Sequence, residues 1–244
     1  MKSVVQIPAY NEPATLPRTA RDILNQPVPE GHTIDVEAWV TRSEDESGCC
    51  STMNAARSVE GLTPYEAPKG KLSARNAAHE HAVREGYDAF VSWDADAPPL
   101  SDRTLSALVT ALEGESVVAA NSVPVARGND SSVLGTAVDA FSAVEEAVFP
   151  HINGQAHAIT TAAWEQVGPF DESIDQTDMR TVRGEEEFGL IRGLRSIGKV
   201  VKPPEARVFN DPRRMYCKFP IGEQPPYCDT RGIADNYGGR TGKE

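Results

Sequence analysis

Ala89-Phe90-Val91-Ser92-Trp93 is a short apolar run with an abrupt end: Asp94-Ala95-Asp96 follows, and then Pro98-Pro99. Adjacent prolines cannot continue a hydrogen-bonded ladder, so the run reads as a buried strand that must stop there. Two other segments are of the same kind. Ser3-Val4-Val5-Gln6-Ile7 reads as a buried strand stopped by Pro8, and Ile34 to Val40 alternates apolar and polar residues. Helical patterns lie between them. Leu16, Ala20, Ile23 and Leu24 share one face of Thr15 to Leu24, with Pro17 tolerated in the first turn, and Leu72 to Glu85 ends at Gly86. Strands alternating with helices predict an α/β fold with a mostly parallel sheet flanked by helices.

The pattern continues beyond the prolines. Ser101 reads as the N-cap of a helix carrying Leu105, Leu108, Val109 and Leu112. Val117 to Ala120 and Ala158 to Thr160 read as strands, Thr161 to Val167 and Glu185 to Ile197 as helices, and Lys199-Val200-Val201 as a strand after the capping Gly198. Gly128 to Ser132 reads as a flexible turn and Leu134 to Phe149 as a helix. Arg42 to Ser51 is polar and breaks the second strand. From Gly222 the chain is rich in Gly, Pro and polar residues and reads as a loosely ordered tail. The expected organisation is one domain over residues 1–221, with a ligand-binding half to about residue 100, and a tail over 222–244.

Ligands of such sheets bind beyond the carboxyl ends of the strands. That rule alone brings Pro8 to Glu12, Arg42 to Asp45 and Asp94 to Asp96 to one crevice. Composition narrows what can enter it. The net charge is -12, from 36 acidic and 24 basic side chains, which argues against nucleic acid as a partner. No run of about 18 apolar residues predicts a membrane span, and the opening segment is too short to read as a signal peptide. The four cysteines form no CxxC pair and are expected to be reduced thiols rather than a zinc site. A cytoplasmic protein is the expectation.

Asp94 and Asp96 flank a small residue, so the pleat sends both carboxylates the same way. Two hard oxygen ligands suit Mg²⁺ or Mn²⁺, ions that bridge carboxylates to substrate phosphates. Alone, the pair reads equally well as a polar strand end capping the following turn.

The wider set of motifs is more specific. Val4-Val5-Gln6-Ile7-Pro8-Ala9-Tyr10-Asn11-Glu12 resembles the opening of family 2 glycosyltransferases of the GT-A type, with its P-x-Y-N-E segment. Gly70 to Ala78 resembles the family's G-x-x-x-A-R-N helix start, Ser92 to Asp96 its D-A-D strand end, and Gln166 to Glu172 its G-F-D-E segment. Gly184-Glu185-Glu186-Glu187 with Arg192 resembles its G-E-D helix. The motifs stand in family order over most of the chain. The resemblance implies a GT-A, Rossmann-like single domain and an inverting, hexosyltransferase-like enzyme that uses a nucleotide-diphosphate sugar as donor with Mn²⁺ or Mg²⁺. It implies nucleotide contacts from Pro8, Ala9, Tyr10 and Glu12, with Arg75 near the phosphates and Lys71 a further candidate there. Asp94 with Ala95 falls on the ribose side, and Asp96 holds the metal, with Asp94 beside it. Tyr10 also reads as a core residue, and Arg75 as a paired surface charge.

The general base belongs among Glu185, Glu186 and Glu187. The spacing to Arg192 favours Glu186, whereas the spacing to Phe188-Gly189-Leu190 favours Glu185. A helix start favours carboxylates in any case, and the family's usual aspartate is replaced here by glutamate. The base-reading loop also departs from the family's Asp-rich pattern, leaving Glu44 or Asp45 as substitutes. Arg213-Arg214 is a phosphate-binding candidate. His151 and His157 read as structural or solvent-facing rather than as metal ligands, and Gly154 and Gln155 as acceptor-pocket candidates. Acceptors would be carbohydrate, lipid-linked or small molecules, the lipid-linked case requiring contact with a membrane surface. Two rival readings are a non-catalytic nucleotide- or carbohydrate-binding module and, ranked lower for want of a Gly-rich loop after the first strand, a sugar-phosphate nucleotidyltransferase.

Overall fold

The structure is a computed structural model and describes residues 1–41, 46–125, 154–172 and 185–209. Its strands are β1 (Lys2–Ala9), β2 (Thr33–Thr41), β3 (Leu62–Ala67), β4 (Ala89–Trp93), β5 (Val117–Asn121), β6 (Val123–Val125), β7 (Ala156–Thr160), β8 (Lys199–Val201) and β9 (Arg207–Phe209). The described helices are α1 (Thr15–Leu24), α2 (Glu46–Arg57), α3 (Lys71–Arg84), α4 (Thr104–Ala111), α5 (Thr161–Val167) and α6 (Glu185–Ile197).

A seven-stranded sheet runs in the order β3-β2-β1-β4-β7-β5-β8, and β6 pairs with β9 in a small second sheet. The strands β1 to β4 are parallel to one another, whereas β7 lies antiparallel between β4 and β5. The α/β expectation therefore holds, with one reversed strand inserted. Strand β1 runs through Pro8 rather than stopping at it. Its pairing with β4 ends at Gln6–Ser92, but its pairing with β2 continues to Ala9–Val40. The ladder that a proline would interrupt has already ended on the β4 side. Ser101 is not the N-cap of α4. Its Oγ accepts the Arg103 N–H, and the helix begins at Thr104. The polar stretch read as a break after the second strand contains the start of α2. The segments read as a turn and a helix between 128 and 149, and the tail from 222, lie outside the described residues.

Alternation along the strands divides the core into two layers. Val5, Ile7 and Ala9 of β1 face Leu16, Ala20 and Ile23 of α1 and Leu105, Leu108 and Val109 of α4. Val4 and Phe90 face the opposite side, with Leu72 of α3, Trp164 of α5 and Leu190, Ile191 and Leu194 of α6. Leu105 and Leu108 are fully buried, and each such side chain contributes about 1.5–3 kcal/mol by leaving water. No helix among the described residues is long and apolar enough to cross a membrane.

The second face has an unusual layer. Glu37, Gln6, Ser92, His157 and Asn121 are register partners on neighbouring strands β2, β1, β4, β7 and β5, and all are buried. Two residues further along β4, past the Trp93–Ala156 pair, the chain reaches Asp94 beside Gln155, so this polar row lies directly beneath the carboxyl end of β4. Buried polar groups are expensive unless bonded. Trp39 Nε1 donates to Glu37 at 3.0 Å, and His81 Nε2 lies 3.2 Å from the other Glu37 oxygen. Arg84 lies 2.9 Å from His81 Nδ1. A guanidinium can only donate, so His81 Nδ1 accepts and its Nε2–H points to Glu37. The Gln6 amide donates to the Ala78 carbonyl.

His79 closes the row from α3. It is fully buried, stacks on Phe90 at 3.9 Å between ring centroids, and its Nδ1 lies 2.9 Å from Gln6 Oε1. The Gln6 carbonyl oxygen can only accept, so Nδ1 carries the proton. Burial holds the imidazole well below its ordinary pKa of 6.5, and His157 and Arg75 push the same way. The unfolded chain therefore binds this proton more readily than the folded one. The fold loses stability as pH falls below 6.5 towards the depressed native value, by at most about 1.4 kcal/mol per pH unit for one group. Denaturant unfolding at pH 7 and pH 5.5 should show a smaller pH-dependent loss for His79→Asn than for the wild type. Equal losses in the two chains would contradict this assignment.

Candidate functional site

Strand β1 is flanked by β2, whose connections run outward to β3, and by β4, from which the sheet grows the other way. The carboxyl ends of β1 and β4 therefore border the crevice where ligands bind in sheets of this kind. Tyr10-Asn11-Glu12 leaves the first strand there, and Asp94-Ala95-Asp96 leaves the second. Strand β2 also ends on this rim, but Asp45 and Glu44 lie outside the described residues.

The β4 end is a tightly closed turn. The Asp94 N–H donates to the Gln155 carbonyl at 2.8 Å, the Ala97 N–H to the Asp94 carbonyl at 3.2 Å, and Trp93 Nε1 to the Ala97 carbonyl at 2.6 Å. Ala95 and Ala97 are buried, while Asp94 and Asp96 are half-buried. The two acidic residues thus stand on either side of a buried alanine in a turn past the end of β4. Of the acceptor-pocket candidates, Gln155 supports this turn through its backbone carbonyl, while the Gly154 carbonyl accepts from Arg75.

Arg75 underlies the turn. It is 0% exposed, and its Nη2 donates to Asp94 Oδ1 at 3.0 Å and to the Gly154 carbonyl at 3.1 Å. Its guanidinium also lies 6.0 Å from the Phe170 ring. The sequence placed Arg75 near phosphates; the structure places it beneath a carboxylate, where it fixes the direction in which Asp94 points. Asn76, the next residue on α3, bonds in another direction. Its amide donates to the Phe170 carbonyl at 3.0 Å and accepts the Phe170 N–H at 2.9 Å, and it donates to Glu172 at 2.8 Å. Ser73 donates to the second Glu172 oxygen at 2.7 Å. These bonds, Asn76 first and Ser73 second, hold the Glu172 carboxyl below its ordinary pKa of 4.5. Its ionised form supports the contact above that value, and the support fades as pH falls through the depressed one.

At the start of α3, Gly70 has φ +112°, a conformation that a side chain would strain. Lys71 follows as the first helical residue. At the β1 end, Asn11 has φ +55°, and the Glu12 carboxylate accepts from the Thr15 hydroxyl. The Glu12 N–H donates to Thr52 Oγ1 at 2.9 Å. Tyr10 is 57% exposed and so is not a core residue. Pro8 and Ala9 belong to the strand itself, with Ala9 buried in the α1 layer.

Glu185 and Glu186 open α6 as expected, while their side chains lie outside the described residues. Arg192 is exposed on the same helix, which packs through Leu190, Ile191 and Leu194. Of the structural and solvent-facing readings, His157 takes the first: it is buried in the polar row. His151 and Arg213-Arg214 lie outside the described residues. Sequence reasoning did not single out Thr52, and it did not pair Asn76 with Glu172. Both members of that pair stood in quoted motifs, but nothing in their spacing joined them.

Among the described residues no group of three or more His, Cys, Asp or Glu converges as a self-sufficient metal cage. An octahedral ion that takes its remaining ligands from phosphates and water needs only one or two carboxylates. Asp96 fits that role, with Asp94 beside it.

Removing one partner of a buried ion pair leaves the other charge poorly compensated. Arg75→Leu should destabilise the fold by about 3 kcal/mol, near the low end for such pairs because Asp94 is 19% exposed. Urea unfolding measures the loss. A change within about 0.5 kcal/mol, typical of an ordinary surface site, would contradict the supporting role.

No family model matches the chain, and no curated protein matches its sequence. Solved structures do resemble it. The mannosyltransferase PcManGT from Pyrobaculum calidifontis, in complex with GDP-Man and Mn²⁺, aligns over 96% of this chain and 69% of its own, with a TM-score of 0.61 and 19% identity. Glucosyl-3-phosphoglycerate synthase from Mycobacterium tuberculosis, with Mn²⁺, UDP and glucosyl-3-phosphoglycerate, aligns over 83% of this chain and 70% of its own, with a TM-score of 0.53 and 19% identity. S. aureus TarS 1–349, in complex with UDP-GlcNAc, aligns over 86% of this chain and 58% of its own, with a TM-score of 0.57 and 14% identity. The sheet with its inserted antiparallel strand, the rim at β1 and β4, and these structural likenesses together give this chain the GT-A, Rossmann-like fold.

Proposed function

We propose that this protein is a metal-dependent glycosyltransferase that moves a sugar from a nucleotide-diphosphate sugar to an acceptor hydroxyl with inversion. The observation that carries the reading is the Asp94–Asp96 pair, half-buried at the switch point of the sheet and steadied by a buried arginine. The structurally similar proteins are glycosyltransferases holding GDP-Man, UDP or UDP-GlcNAc, which supports the same class of donor here.

The nucleotide lies along the β1 rim, against Pro8, Ala9, Tyr10 and Glu12, with Asp45 on the base side. Asp94 and Ala95 meet the ribose, and Arg75 keeps the Asp94 carboxylate aimed at it without touching substrate. Asp96, with Asp94 beside it, would hold Mn²⁺ or Mg²⁺, which offsets the charge developing on the departing diphosphate. On the acceptor side, the carboxylate of Glu186, or of its neighbour Glu185, takes the hydroxyl proton. The acceptor oxygen then bonds to the anomeric carbon as the bond to the diphosphate breaks, and attack from the opposite face inverts that centre. The Asn76–Glu172 contact ties the chain on the acceptor side to the helix that supports Asp94. A cytoplasmic setting and a carbohydrate, lipid-linked or small-molecule acceptor complete the proposal.

Asp96→Ala should lower both donor hydrolysis and sugar transfer by about a hundredfold or more. A panel of UDP- and GDP-sugars with Mn²⁺ measures this. Full activity in the variant would remove Asp96 from the metal site.

A further inference from the structure

The chain leaves β1 at Ala9 and enters α1 at Thr15, reversing through Tyr10, Asn11 and Glu12. Asn11 sits in the left-handed region at φ +55°. Asparagine tolerates that region better than most residues, but it persists there only where neighbouring contacts fix the backbone. Glu12 is held from two directions. Within the turn, its carbonyl accepts the Leu16 N–H at 3.2 Å and its carboxylate accepts from Thr15. From outside, Thr52 Oγ1 accepts its N–H at 2.9 Å across a separation of 40 residues.

Thr52 stands on α2, the helix that follows β2, and it is 0% exposed. A buried hydroxyl is costly to desolvate unless it forms a hydrogen bond, so a position needing only bulk would be better filled by an apolar residue. Its bond ties the loop beyond β1 to the helix beyond β2, and these strand ends are neighbours on the rim. Tyr10 immediately precedes the left-handed residue and has a ring that the core does not cover.

We infer that Thr52 is a positioning residue for the nucleotide: it stays beneath the surface and holds the Tyr10–Asn11–Glu12 turn in its receiving conformation. This rests on the nucleotide-sugar reading above. Without the Thr52 bond, the turn samples other conformations and only a fraction of molecules is competent to bind, which weakens the apparent affinity by that fraction.

The test is calorimetric titration of the full chain with UDP and GDP in the presence of Mn²⁺. Thr52→Val deletes the hydroxyl at nearly constant volume and should raise Kd about five- to tenfold, the worth of one such hydrogen bond. Thr52→Ser keeps the hydroxyl and should stay within about twofold. Thr52→Ala serves in place of valine if the larger side chain prevents folding. Asn11→Gly separates positioning from general packing, because glycine takes the left-handed region without support. The Thr52→Val penalty, measured against Asn11→Gly alone, should shrink to about twofold in the double variant. An unchanged Kd in Thr52→Val, or the same penalty with and without Asn11→Gly, would overturn the inference. A wild-type chain that binds neither nucleotide would instead overturn the nucleotide-sugar reading, and this inference with it.

Discussion

The Arg75 guanidinium is fully buried and joins parts of the fold that are distant in sequence. From α3 it reaches Asp94 at the end of β4 and the Gly154 carbonyl just before β7. A buried cation is destabilising unless its surroundings supply charge and acceptors. Among the described residues, a compensating charge comes from the Asp94 carboxylate of the candidate site. The carboxylate is therefore held by a core residue. That arrangement holds Asp94 at the rim, two residues before Asp96.

The polar row beneath the site extends the same logic. Glu37, Gln6, Ser92, His157 and Asn121 run across neighbouring strands one layer below the rim, and His79 meets Gln6 from the helix that carries Arg75. An all-apolar layer would pack α3 against the sheet with less directional preference. The bonds of Gln6 to Ala78 and His79 instead set the helix register, and the register sets where Arg75 and Asn76 emerge. The separate motifs are thereby mutual contacts. The arginine of the A-R-N segment meets the first aspartate of the D-A-D segment, and its asparagine meets the backbone and glutamate of the F-D-E segment.

Much of this was legible in the sequence, and the gaps have physical causes. Apolar runs with clear stops at Trp93 and Val40 marked central strands, and Leu105, Leu108 and Val109 marked α4. Helix α2 was hidden because Glu46 to Arg57 is polar and rich in small residues, without a clear apolar stripe. Strand β3 contains Pro64, which argues against a central strand; the structure places it at the sheet edge, where proline is tolerated. Strand direction was not legible either, so the antiparallel β7 came only with the fold. At the site, the carboxylates and the turn after β1 followed from strand ends alone. The burial of Arg75 did not, because its compensating partner lies across a helix-to-sheet contact that no local spacing encodes.

If the proposed function holds, the ends of β1 and β4 form one site that takes a nucleoside diphosphate together with a divalent ion. Thermal unfolding of the wild-type chain with UDP, GDP and their sugars, each with and without Mn²⁺, tests it most directly. A ligand that binds only the folded state raises the midpoint. At least one nucleotide with Mn²⁺ should give a rise that exceeds the sum of the rises from nucleotide alone and Mn²⁺ alone. An unshifted midpoint across the whole panel, or the same shift with and without the ion, would contradict it.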